Sequence, residues 1–140
     1  MGNKKEKKFF QITWIVLLIL IILIVVMTVI SKYGLTVTGY ELDSKKIQEK
    51  FKIVQLTDLH NMEFGDKNRR LINKINKLQP NLVCMVGDML NRDDESLTVV
   101  TDLIKQLAEK YKVFFSLGNH ETDYEKNFST DLKRPLEEAG

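Results

Sequence analysis

The chain has one cysteine, Cys84, and only two prolines and seven glycines among its 140 residues. A single thiol excludes an internal disulfide framework and any zinc site built from several cysteines. So little proline and glycine excludes collagen-like and low-complexity designs. A surplus of one charge is also missing, since 21 Lys and Arg stand against 19 Asp and Glu. Four of the lysines and one glutamate fall in residues 1–31, which leaves 17 basic and 18 acidic side chains beyond them. A nucleic-acid binder carries a basic surface, so nucleic acid is set aside as a partner. Histidine is scarce as well, with only His60 and His120.

What is present is unevenly spread. Mean hydropathy is −0.18, yet between Ile12 and Ile30 only Thr13 and Thr28 are not apolar. As a helix this segment rises roughly 28 Å at about 1.5 Å per residue, close to the roughly 30 Å hydrocarbon core of a bilayer. Trp14 and Tyr33 lie near its two ends, where amphipathic rings favour the interface. A cleaved signal peptide has a shorter apolar run and a small-residue cleavage site, and Val29-Ile30-Ser31 makes a poor one. The segment reads as an uncleaved anchor in the lipid bilayer. Lys4, Lys5, Lys7 and Lys8 precede it and only Lys32 follows closely, so the positive-inside rule keeps the N-terminus cytoplasmic. The organisation expected is a basic N-terminus (1–11), a transmembrane anchor (12–30), a connector (31–50) and an extracytoplasmic domain (51–140) at the cell membrane.

Beyond Ser31 the pattern alternates between strand and helix. Leu35–Leu42, with Thr, Val and Tyr, predicts a short edge strand, and Lys45–Lys50 a polar connector. Phe51–Thr57 predicts a strand, Asp66–Gln79 a helix stopped by Pro80, and Asn81–Val86 a buried strand. Leu97, Val100, Leu103, Ile104 and Leu107 mark one face of a second helix, and Lys112–Leu117 a further strand. A helical tail follows from Tyr124 to Gly140, interrupted or restarted at Pro135. This order predicts an α/β fold with a largely parallel sheet and helices on both faces.

Three strands end in polar residues: Asp58 and His60, Gly87-Asp88, and Gly118-Asn119-His120-Glu121. Ligands of open parallel sheets bind beyond such carboxyl ends. Asp58 and His60, two apart in an extended chain, point to one side, although a capping aspartate beside an exposed histidine reads equally well. Asp88 after Gly87 suits either a cation-bridging carboxylate or an ordinary turn. Asn119 offers a neutral oxygen ligand and His120 a proton, or the pair forms a simple Gly-Asn turn. Three mixed oxygen and nitrogen clusters at successive strand ends favour a divalent ion such as Mn²⁺, Fe²⁺ or Zn²⁺. The other candidates read as structural: Asp93-Asp94-Glu95 as helix capping, Cys84 and Met85 as core packing, Lys67, Arg69 and Arg70 as a solvated helix face.

Asp58-Leu59-His60, Gly87-Asp88-Met89-Leu90-Asn91 and Gly118-Asn119-His120-Glu121 resemble the first three blocks of the calcineurin-like metallophosphoesterases, in their membrane-anchored bacterial branch. The resemblance covers roughly Thr36 to Gly140. It implies the first half of a four-layer αββα sandwich and a metal-dependent hydrolysis of phosphomonoesters, phosphodiesters or pyrophosphates by a hydroxide held between two ions. It further implies that Asp58 and His60 hold one metal, Asp88 bridges both and Asn119 joins the second. His120 would contact the phosphate and protonate the leaving group. Asn91 departs from the Asp often found at its place. The family completes its site with later histidines, whereas no histidine follows His120 here. The expectation is therefore a truncated chain, inactive alone, with an exposed sheet face. The alternative is a non-catalytic membrane-anchored module with a vestigial metal site. Tethering would put lipid headgroups among the phosphoester substrates within reach.

Overall fold

The computed structural model describes residues 3–47 and 49–140. Met1, Gly2 and Gln48, which belong to the expected N-terminal segment and connector, lie outside the described residues. The elements in chain order are α1 (Lys4–Tyr33), β1 (Ile53–Leu56), a 3₁₀ turn (Asp66–Asn68), α2 (Arg69–Leu78), β2 (Leu82–Val86), α3 (Thr98–Ala108), β3 (Lys112–Ser116), α4 (Asn119–Phe128) and α5 (Lys133–Glu137). Two compact units result, residues 1–40 and 41–140.

In the first unit, α1 holds a 25-residue stretch, Lys7–Ser31, that is long and apolar enough to cross a membrane. Its only two hydroxyls inside the apolar run are satisfied within the helix. Thr13 donates to the Phe9 carbonyl at 3.0 Å and Thr28 to the Ile24 carbonyl at 2.8 Å. No polar group of these two side chains then needs water, which is the condition hydrocarbon imposes. Phe10 and Trp14 meet edge to face with centroids 5.8 Å apart.

No strand forms at Leu35–Leu42, contrary to expectation. Alternation alone does not make a strand, because its amide and carbonyl groups need a partner. Here Tyr40 and Leu42 are almost wholly exposed, and among the described residues no strand pairs with the segment.

The second unit is built on a parallel sheet in the order β1-β2-β3. Val54, Val83 and Val113 form one cross-strand row and Leu56, Met85 and Phe115 the next. That face is covered: Val83 and Met85 are fully buried, as are Ile75 of α2 and Leu103, Ile104 and Leu107 of α3. The opposite face carries Ile53, Gln55, Cys84, Val86 and Phe114, with Ile53 55% and Phe114 56% exposed. Among the described residues of this unit, helices therefore cover one face, not two. The strands advance in one direction, and right-handed crossovers that advance one way all lie on the same side.

Three expected boundaries move. The helix expected from Asp66 is α-helical only from Arg69, because Lys67 and Asn68 take left-handed backbone angles. Asn68 is buried and its Oδ1 accepts the Phe64 amide at 2.9 Å. Helix α3 starts at Thr98, so Asp93-Asp94-Glu95 do not cap it. Asp94 instead accepts the Asn91 amide at 2.6 Å, and Ser96 Oγ accepts the Thr98 amide at 3.1 Å. The tail is two helices, divided at Ser129 (φ 48°) and not at Pro135, which sits in the first turn of α5 where a missing N–H is tolerated. Helix α4 opens at Asn119, directly after β3, so Asn119 and His120 stand at a helix N-terminus.

Candidate metal centre

Two glycines let the ends of β2 and β3 touch. At Gly87 (φ 68°) an added Cβ would lie 2.9 Å from the Gly118 Cα. At Gly118 it would strike the Asp88 carboxylate and lie 2.6 Å from the Asp88 amide nitrogen. Both distances are below contact for a side-chain carbon, so close approach requires glycine at both places.

Backbone hydrogen bonds then stitch the three strand ends together. Asp58 N–H donates to Gly87 O at 3.3 Å, His60 N–H to Asp88 O at 3.0 Å and Asn61 N–H to Met89 O at 2.7 Å. Gly87 N–H donates to Ser116 O at 2.9 Å. The Thr57 hydroxyl lies 2.7 Å from Asp58 Oδ2 and 2.9 Å from Val86 O. Asp58, His60, Asn61 and Asp88 all have φ between 47° and 60°. Asp, Asn and His tolerate that region better than other residues. A left-handed residue still costs of order 1 kcal/mol or more, and such residues gather where side chains must be aimed.

The side chains converge. One donor atom each from Asp58, His60 and Asp88 lies within 4.8 Å of the other two. His60 Nε2 is 3.9 Å from Asp58 Oδ1. Two donors at about 2.0–2.2 Å from one ion are at most about 4.4 Å apart, so closure of a few tenths of an ångström accommodates a cation. The donor set, two carboxylates and an imidazole, suits a borderline divalent ion. Among the described residues, two buried polar atoms of the His60-Asn61 pair, His60 Nδ1 and Asn61 Oδ1, have no hydrogen-bond partner. Unpaired buried polar atoms are costly, and a cation or its bound water relieves that cost. The residues fit a divalent metal.

His120 packs edge to face on His60, with centroids 4.6 Å apart. Its amide donates to Asp88 Oδ1 at 3.0 Å, and its Nδ1 accepts the Arg92 amide at 3.4 Å. Asn119 is exposed at the first residue of α4. Asn91 Nδ2 donates to His60 O at 3.0 Å and lies 3.2 Å from Asp94 Oδ1, tying the first two loops together.

One residue escaped the reading of roles from sequence. Glu121 is fully buried, and its carboxylate accepts four amide N–H groups. Oε2 takes those of Asp88 (2.8 Å) and Gly118 (2.8 Å), and Oε1 those of Met89 (2.7 Å) and Leu90 (3.2 Å). The available signal was Gly118-x-x-Glu121 at a helix start, half of a capping box. Met89, by contrast, is buried core, and Cys84 faces away from Met85 on the open side of the sheet.

Comparison with known proteins agrees with this geometry. An uncharacterized metallophosphoesterase of Campylobacter jejuni is 31% identical over 103 residues, covering 70% of this chain and 27% of that protein. A transmembrane protein with a metallophosphoesterase domain from Danio rerio is 25% identical over 105 residues, covering 66% of this chain and 24% of that protein. The chain thus spans about a quarter of the length of these relatives. No solved structure matches it significantly. Residues 51–139 match the calcineurin-like phosphoesterases, and with them the whole sheet and all three strand-end loops, so the chain belongs to that family of metal-dependent phosphoesterases.

Proposed function

We propose that residues 51–140 form part of a metallophosphoesterase whose ligands include Asp58, His60, Asp88 and Asn119, held at a membrane by residues 12–30. The basic segment 1–11 then lies in the cytoplasm, residues 31–50 connect, and the domain faces the extracytoplasmic side. The observation that carries this reading is the convergence of Asp58, His60 and Asp88 at the strand ends. Asp58 and His60 would hold one ion, Asp88 would contribute to both ions of a pair, and Asn119 would contribute to the second. Mn²⁺, Fe²⁺ and Zn²⁺ suit these donors.

Divalent cations supply charge neutralisation on the phosphoryl oxygens and lower the pKa of bound water. The chain's own groups do the rest. His120 contacts the phosphate and protonates the departing alkoxide through Nε2, the ring nitrogen that does not meet the Arg92 amide. Asp88 Oδ1 holds the His120 amide, which fixes the acid relative to the bridging carboxylate. The substrate class is a phosphoester, and anchoring brings lipid headgroups within reach.

The full chain in detergent micelles is expected to bind Mn²⁺, followed by electron paramagnetic resonance, and Asp88→Asn to abolish that binding. In the protein as expressed from its own gene, the same substitution is expected to stop Mn²⁺-dependent hydrolysis of a simple phosphodiester. Undiminished turnover would overturn the assignment.

A further inference from the structure

A carboxylate with no exposed surface is expensive unless its lone pairs are filled. Glu121 fills them with four backbone donors drawn from two separate loops, residues 88–90 after β2 and Gly118 after β3. Helix capping explains only the bond from Gly118, the N-cap of α4. The other three reach 31 to 33 residues back along the chain, to the loop that carries Asp88. That loop leaves β2 with Gly87 and Asp88 in left-handed conformation, so a ladder along the sheet edge is not available to its amides. Asp88 in turn accepts from the amides of His60 and His120. A chain of single contacts therefore runs from Glu121 through Asp88 to both histidines.

We infer that Glu121 is a positioning residue: it sets the loop bearing Asp88 in the metal-binding geometry before any cation arrives. The inference rests on the proposed metal site, but part of its test does not. In the metal-free chain, the amide protons of Asp88, Met89, Leu90 and Gly118 are expected to exchange with solvent as slowly as those of β2. Exchange at the rate of exposed loops overturns the inference whether or not Mn²⁺ binds, and whether or not any variant folds.

Glu121→Gln turns one acceptor oxygen into an NH₂ group facing two amide donors. It is expected to lower Mn²⁺ affinity by about 10- to 100-fold, the range for residues that orient ligands. Ile75→Val, a core change away from the site, supplies the control. At equal loss of melting temperature it is expected to keep the wild-type affinity, as a purely structural Glu121 would allow in Glu121→Gln. Wild-type affinity in folded Glu121→Gln overturns the inference. Failure of the wild-type chain itself to bind Mn²⁺ overturns the metal reading instead.

Discussion

Asn91 shows how one atom type decides a loop. Its Nδ2 donates to the His60 carbonyl while facing the Asp94 carboxylate, and its own amide is capped by that carboxylate. All three contacts use Asn91 as donor. An aspartate there has no side-chain N–H to give and would set its charge against Asp94 and against a carbonyl oxygen. Asn91→Asp is therefore expected to destabilise the domain by about 1–3 kcal/mol, the cost of leaving a part-buried polar group unsatisfied. Urea unfolding checks the value, and a change below about 0.5 kcal/mol would remove the bridge from the account. The residue types at the site were legible in sequence, because Asp, His and Asn at strand ends stand out from an apolar pattern. The partners of Asn91 and Glu121 were not. The His60 carbonyl that Asn91 meets and the amides of residues 88–90 that Glu121 accepts lie about 30 residues away along the chain, and no local periodicity encodes those meetings.

At the scale of elements, the strands were read to within a few residues because short apolar runs, bounded by polar turns, have few other ways to be buried. The errors share a cause: each involves a partner that sequence pattern does not reveal. Leu35–Leu42 alternates yet finds no neighbouring strand. Lys67 and Asn68 hold a turn through the buried side chain of Asn68, where propensity favoured helix. The assignment of faces yields a sharper test. Met85 points to α2 and α3 with no exposed surface, whereas Phe114 stands on the opposite face and is 56% exposed. Met85→Ala is expected to cost about 2–5 kcal/mol, as for a buried side chain that leaves a cavity. Phe114→Ala, despite removing more atoms, is expected to stay near the roughly 0.5 kcal/mol of surface changes. Equal costs in urea unfolding of the full chain would mean that both faces are covered.

For the whole molecule, the charges beside α1 carry the proposal that residues 41–140 face the extracytoplasmic side of a membrane. Four lysines lie within the eight residues at the start of the chain, and α1 carries them into its first turns. Lysines retained on the cytoplasmic side resist transfer across the bilayer, and the bias is counted within about 15–20 residues of the span. Only Lys32 opposes them immediately beyond it. The single cysteine supplies a natural reporter, because Cys84 lies in the phosphoesterase unit on the open face of the sheet and is partly exposed. A membrane-impermeant maleimide is expected to label Cys84 in right-side-out vesicles and to leave it unmodified in inside-out vesicles until detergent is added. Under the positive-inside rule, replacing Lys4, Lys5, Lys7 and Lys8 by Gln is expected to weaken that asymmetry. The reverse labelling pattern in the unaltered chain would place the unit in the cytoplasm and leave the convergence of Asp58, His60 and Asp88 unchanged, because that convergence is built within residues 41–140.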